Sequence, residues 1–288
     1  MVIYRTLWKS RNNSNRAPIV GRDKKKTIAS VLASLKACAQ EKNLDKGIAV
    51  HADIQKQGFL QTSPRYVGSA VVSMYAKCGA LQKAQQVLRE LPSRDVVTWN
   101  ALISGYAQHG YSHDAFRCFE CMQRDDQLCP DVVTFTCILK ASAHIRALHM
   151  GEQIHNEIVR KGFVAKDDAS LWTALVDMYM KCHMLQKAQE VHDQLSVRDV
   201  VSWSALIAGY AQHGQGHEAL KCYAQMLSEG FSPNIITLIC ILKACGSIGA
   251  IEMGRKIHDQ SVSTGLLKDG IFGNALVDMY AKCGELAK

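Results

Sequence analysis

At 288 residues, with 48% hydrophobic and 21% charged content, the chain has the composition of a folded soluble protein and not of a disordered one. It lacks any run of about 18 apolar residues, which argues against a membrane-spanning helix. The formal charge of +8 is misleading: residues 1–26 hold eight Lys or Arg against the single acid Asp23, leaving a net of only +1 for the remainder. A nucleic-acid argument must therefore rest on a local surface and not on overall charge.

The leader, MVIYRTLWKSRNNSNRAPIVGRDKKK, has Arg5, Arg11, Arg16 and Arg22, scattered hydroxyls and no acid before Asp23. This is the composition of an organelle-targeting peptide and lacks the long apolar stretch of a secretory signal. A basic leader without an address fits the same composition. Without a secretory signal, the eleven cysteines read as reduced thiols and not as a disulfide framework.

From residue 28 onward the chain repeats itself. SAVVSMYAKCGALQKAQQVLREL, from Ser69, returns as TALVDMYMKCHMLQKAQEVHDQL from Thr173 and as NALVDMYAKCGELAK from Asn274. RDVVTWNALISGYAQHG at Arg94 returns as RDVVSWSALIAGYAQHG at Arg198, and a third type carries CILKASAHIRALHMGEQIHNEI and CILKACGSIGAIEMGRKIHDQS. The three types follow one another in fixed order, in units of 31–37 residues.

Each unit has helical periodicity. Trp99, Leu102, Ile103 and Tyr106 form one apolar stripe, reproduced by Trp203, Leu206, Ile207 and Tyr210. Gly110 and Gly214 stand where a left-handed helix stop is wanted. A second stripe follows in Ala115, Phe116, Phe119 and Met122, and Pro130 and Pro233 close those units. No alternating period-two segment appears, so sheet is not supported. Each unit is predicted to be two antiparallel helices that bury their apolar faces only by stacking on neighbours, giving an all-α solenoid of helix-turn-helix repeats. Gly47, Gly151 and Gly254, with Cys78, Cys182 and Cys283, recur where helices must approach closely.

Several features invite chemistry and resist it. Cys118-x-x-Cys121 is a lone pair on a predicted helix, and its second cysteine is matched by Gln225 in the repeat, so a structural thiol is favoured over zinc or redox use. His51, His155 and His258 share one repeat position, His109 and His213 another, and His113 and His217 a third, a pattern of packing or surface roles repeated with the fold. Trp99 and Trp203 read as core. No phosphate loop, nucleophile elbow, zincin pair or deaminase signature is present in the sequence, so no catalytic site, cofactor, metal or small-molecule substrate is expected.

The RDVVTWNALISGYAQHG, MYAKCG and LKA…GEQIH segments resemble the pentatricopeptide repeat family of plants, over about residues 28–288. The succession of unit lengths is similar to its PLS subclass, whose ordinary, long and short motifs alternate, here without the C-terminal extension that larger members carry. The resemblance implies a right-handed superhelix like that of tetratricopeptide arrays, with long units at 28–64, 132–168 and 235–269, short units at 65–95, 169–199 and, incompletely, 270–288, and ordinary units at 96–131 and 200–234.

It further implies one RNA base per unit, read by the fifth and last residues, where an exposed polar side chain on the first helical turn meets the base edge. Ser69 with Asp95 and Thr173 with Asp199 then resemble guanine readers, Asn100 with Asp131 a uracil reader, and Ser204 with Asn234 an adenine reader. Thr136 with Asp168, in a long unit, suggests guanine. Leu32 with Pro64 and Ile239 with Asp269 lack a polar fifth residue and receive no base. Second residues, which sandwich bases in the family, are Tyr66, Val97, Val133, Ser170, Val201 and Ile236.

For these polar residues the competing role is ordinary helix capping, and both roles can coexist. The resemblance thus implies a single-stranded RNA-binding protein of the mitochondrion or chloroplast, the mitochondrion favoured, acting in editing, processing or stabilisation with editing or processing proteins as partners. The alternatives are a protein-binding repeat scaffold, or a truncated product with little independent activity, since the last unit lacks its second helix.

Overall fold

The computed structural model describes residues 27–124, 126–163, 168–195 and 197–285, so the basic leader lies outside the described residues. Among the described residues there are sixteen α-helices and no strand. They come in pairs: α1 (Ile28–Glu41) and α2 (Leu44–Lys56), followed by the single turn α3 (Phe59–Thr62); α4 (Pro64–Lys77) and α5 (Leu81–Glu90); α6 (Val96–Gln108) and α7 (Ser112–Arg124); α8 (Val132–Ile145) and α9 (Leu148–Arg160). Then follow α10 (Ala169–Lys181) and α11 (Leu185–Asp193); α12 (Val200–Gln212) and α13 (Gly216–Ser228); α14 (Ile235–Ile248) and α15 (Ile251–Thr264); and α16 (Gly270–Lys282).

The helices begin and end on local chemistry. Asp95, Asp131, Asp168, Asp199, Asn234 and Asp269 each sit in extended backbone and accept backbone N–H groups of the helix that follows. At the first junction the order shifts by one: Ser63 precedes the helix and Pro64 opens α4, its missing N–H costing nothing there. Gly110 (φ 82°) and Gly214 (φ 71°) are the left-handed stops that the sequence indicates. The plain helix pair is incomplete for two long units, because α3 and a 3₁₀ turn at Leu266–Lys268 absorb the residues that follow their second helices.

First helices of successive units pack on one another in one unbroken series from α1 through α4, α6, α8, α10, α12 and α14 to α16, and each second helix packs on its own partner and on the next first helix. This is an α-solenoid. Its core is continuous, and the predicted stripe of Trp99, Leu102, Ile103 and Tyr106 is buried, as is that of Trp203, Leu206, Ile207 and Tyr210. Burial depends on the neighbour: Val72 and Val176 are 0% exposed beneath following units, whereas Val277, at the same register of α16, is 70% exposed.

Close approach explains the recurring small residues. A Cβ on Gly47, Gly151 or Gly254 would lie 2.3–2.5 Å from the sulfur of Met74, Met178 or Met279. The Cys78 and Cys283 thiols reach back to the Cys38 and Cys245 carbonyl oxygens at 3.7 and 3.8 Å. The histidine series is a packing device between units: Nδ1 of His51, His155 and His258 meets the hydroxyl of Tyr75, Tyr179 and Tyr280 at 2.8–3.0 Å.

Candidate nucleic-acid interface

The first helices present one continuous face along their N-terminal turns. On it the second residue of successive units is apolar and open to solvent: Tyr66 is 74% exposed, Val97 61%, Val133 53%, Val201 58% and Ile236 59%. Ser170 is exposed at the same register. Such large apolar side chains held in water, one per helix, are unexplained by folding. Ile271, second in its unit and 70% exposed, continues the row and was not among the residues singled out from sequence. Its signal was the register itself, one residue after Gly270.

The fifth residues lie one helical turn further on, and here the structure corrects the expectation of an exposed side chain. Asn100 is 6% exposed, Ser204 7% and Thr136 9%, while Ser69 and Thr173 are half-buried. The neighbouring first helix covers them, and hydrogen bonds hold Ser69, Asn100, Thr136 and Ser204. Ser69, Ala70, Ser73, Val97, Asn100, Ala101, Ser104 and Val133 together line an open groove across α4, α6 and α8, so the Ser69 and Asn100 side chains share one cleft with two of the apolar second residues.

Apart from Pro64, which opens α4, the last residues are the helix caps already described, which places each of them at the mouth of the next unit. Asn100 and Asp131 are brought into direct contact, Nδ2 donating to Oδ1 at 2.9 Å. Ser204 and Asn234 meet through Thr237, whose hydroxyl lies 2.6 Å from Ser204 Oγ and 3.0 Å from Asn234 Oδ1. The remaining pairs are not bridged in this way. Ser69 Oγ donates to the Tyr66 carbonyl, Thr136 Oγ1 to the Val132 carbonyl, Asp95 holds Thr98, and Asp168 holds Ser170 and the Leu171 N–H. Asp199 accepts the Ser202 N–H at 2.7 Å. The bonds from Ser170 and backbone N–H groups hold the Asp168 carboxyl below the ordinary carboxylate range.

Sequence reasoning missed the residues that knit this face together. Thr98, Thr134, Ser202 and Thr237 are all buried, each three residues after a capping Asp or Asn. The signal was present as Asp-Val-Val-Thr, Asp-Val-Val-Ser and Asn-Ile-Ile-Thr, a spacing that closes a capping box in α8 and α12.

The other chemistry-bearing groups do not converge on this face. Among the described residues no cluster of three or more His, Cys, Asp or Glu is arranged to hold a metal ion. Cys118 is buried and burial pushes its thiol up to about 12, away from reactive thiolate. Trp99 and Trp203 are core residues, the former donating from Nε1 to Asp126 at 2.6 Å. His109 and His213 bond their own helices through Gly105 and Gly209 carbonyls, while His113 and His217 are exposed. Among the described residues, no helix is long and apolar enough to cross a membrane.

Comparison with known sequences agrees with this geometry. A model of the PPR repeat family matches residues 94–144 and 198–247, and a model of the PPR repeat matches 69–96 and 170–200, together more than half of the chain. A mitochondrial pentatricopeptide repeat-containing protein of Arabidopsis thaliana is 34% identical over 257 residues, covering 89% of this chain and 45% of the relative. A chloroplastic one from the same plant is 35% identical over 252 residues, covering 88% and 30%. The chain thus spans less than half the length of these relatives. Among solved structures, the maize pentatricopeptide repeat protein PPR10 aligns over 91% of this chain and 43% of its own, with 20% identity and a TM-score of 0.49. PPR10 in complex with an 18-nt psaJ RNA element aligns over 90% and 48%, with 17% identity and a TM-score of 0.37.

Proposed function

The chain belongs to the pentatricopeptide repeat family, and on that premise we propose that it binds single-stranded RNA sequence-selectively along the face of its first helices. The observation that carries this reading is the row of solvent-exposed apolar second residues, Tyr66, Val97, Val133, Val201 and Ile236, each followed one turn later by the fifth-residue register. A flat apolar side chain takes the face of a base without regard to sequence, and a polar tip in the adjacent cleft selects its edge. Ser69 with Asp95 and Thr173 with Asp199 select guanine, Asn100 with Asp131 uracil, and Ser204 with Asn234 adenine; Thr136 with Asp168 adds a weaker guanine preference. In 5′ to 3′ order with the chain this gives GU, one loosely read base, then GA. The alternation of ordinary, long and short units is that of the PLS subclass.

Action is by binding and recruitment, with no chemistry performed by these residues. Relatives named mitochondrial or chloroplastic support an organellar site of action, on transcripts that undergo editing, processing or stabilisation with the help of protein partners. Fluorescence anisotropy with an RNA carrying GUNGA tests the reading: binding should be measurable at low salt, and Asn100→Ala should lose the preference for uracil at the second base. Absence of RNA binding at low salt would refute it.

The near-neutral charge of residues 27–288 favours a second reading, in which the same apolar row docks a protein segment. Competition separates the two, since an RNA-binding face protects Val97 and Val133 from a bound peptide only when RNA occupies it.

A further inference from the structure

We propose that Thr134, the third residue of the unit that follows, is a positioning residue that locks the Asn100 amide and so sharpens its choice of uracil over cytosine. The inference rests on the base-reading role of Asn100 and adds the group that orients it. Thr134 is 0% exposed, and its hydroxyl oxygen stands at the centre of a small network. It lies 2.6 Å from Asn100 Oδ1 and 2.9 Å from Asp131 Oδ1, and it accepts the Asp131 N–H at 3.2 Å. A hydroxyl has one proton to give. Asp131 Oδ1 already accepts the Thr134 N–H at 2.8 Å and Asn100 Nδ2 at 2.9 Å, so the Thr134 proton is directed to Asn100 Oδ1.

The amide is thereby fixed at both ends. Its nitrogen faces a carboxylate that only accepts, and its oxygen faces a hydroxyl already used as an acceptor by the backbone. One N–H and one oxygen lone pair of Asn100 remain for a ligand in the groove. An amide that can turn over exchanges donor for acceptor, and uracil and cytosine differ by that same exchange: uracil bears the O4 acceptor where cytosine bears an amino donor. Asp131 alone already disfavours the turned-over amide but leaves it free to pivot about one contact; Thr134 adds a second fixed contact and so sharpens the one pattern presented.

The network recurs once. Thr237 stands in the same place toward Ser204 and Asn234, with the distances given above. Thr98 supplies an internal control, since its hydroxyl donates to the Asp95 cap at 2.6 Å, and Ser69 bonds the Tyr66 carbonyl.

The experiment is anisotropy with four RNAs that differ only at the second base of GUNGA, on the full chain and on Thr134→Val, Thr134→Ser and Thr98→Val, each checked by thermal melting. The expected result is that Thr134→Val lowers the uracil-over-cytosine preference about fivefold or more, about what one lost hydrogen bond to a buried polar group entails. Thr134→Ser keeps the preference, and Thr98→Val, which loses the hydroxyl bonded to Asp95, acts on the guanine preference at the first base and not on the choice of uracil over cytosine at the second. A folded Thr134→Val with the wild-type uracil preference overturns the positioning role while leaving the RNA reading intact; a wild type that binds no RNA overturns both. If Thr134→Val does not fold, Thr237→Val applies the same test to the adenine preference at the fifth base, and an unchanged preference there is equally fatal.

Discussion

His192 is fully buried in α11 where the corresponding residue of α5 is Leu88, and neither of its ring nitrogens has a hydrogen-bond partner. The ring packs on Trp203, centroids 4.4 Å apart. Burial, reinforced by the nearby Arg198 guanidinium, pushes its pKa down to about 4 from an ordinary 6.5. The unfolded chain therefore takes up a proton as pH falls through about 6.5, and the folded chain only near 4, so stability drains away between those values. The loss approaches roughly 3 kcal/mol at the acid end. His51 and His155 are also lowered by burial, so His192→Leu should shrink that dependence without abolishing it: urea unfolding at pH 7.5 and pH 5 should show a smaller decline in the variant than in the wild type. An equal decline in both proteins would place the acid sensitivity elsewhere.

The same scale shows what sequence could and could not reveal about the site. The register of the proposed reading residues was visible in the repeats, because Ser69, Asn100 and Ser204 fall on equivalent first turns. Their burial did not follow, since it comes from the next unit's first helix, 31–34 residues away in the hydrogen-bonded cases. Thr134 was missed because the only signal it carries in the sequence is its local spacing from Asp131, whereas its bond to Asn100 spans two units.

Between elements, glycine decides how near two helices can lie. Gly105 in α6 faces α4, and an added Cβ would stand 2.6 Å from Ala76 Cβ and 3.3 Å from its Cα, atoms that cannot swing aside. At Gly47 the obstacle is the Met74 thioether at 2.3 Å, the far end of a flexible chain. Both changes gain about 1 kcal/mol of helix propensity. Gly105→Ala should nonetheless destabilise by about 1–3 kcal/mol through overpacking, while Gly47→Ala should fall close to neutral. Thermal melts of the two variants decide it, and equal shifts would contradict the backbone argument. The helices and their caps were legible in periodicity and in the Asp and Gly punctuation. The single turn α3 and the 3₁₀ turn before α16 were not, because short turns carry no periodic signature. The His51–Tyr75 type of contact was half visible: the histidine series and the MYAKCG tyrosine each recur, but their pairing depends on how one unit lies against the next.

At the scale of the whole molecule, the face of the first helices is marked by an apolar row and not by a row of cations, so on the proposed reading an RNA held there is gripped more through its bases than through its phosphates. The salt dependence should be shallow. With about two phosphate contacts neutralised, affinity falls less than about tenfold between 50 and 200 mM salt. A steep decline, of a hundredfold or more, would mean that a basic surface dominates and that the apolar row is secondary.

In the proposed register, the residue that closes a unit is, after the first junction, also the one that starts the next helix. Asp95, Asp131, Asp199 and Asn234 hold both posts at once. On the proposed reading, the vocabulary at that position is limited to side chains able to initiate a helix, chiefly Asp, Asn, Ser and Thr. A replacement chosen only to suit a new base, such as a long amide or a cation, would spell one letter correctly and unravel the beginning of the next. The set of RNA sequences within reach of single mutations is therefore bounded by folding before it is bounded by recognition.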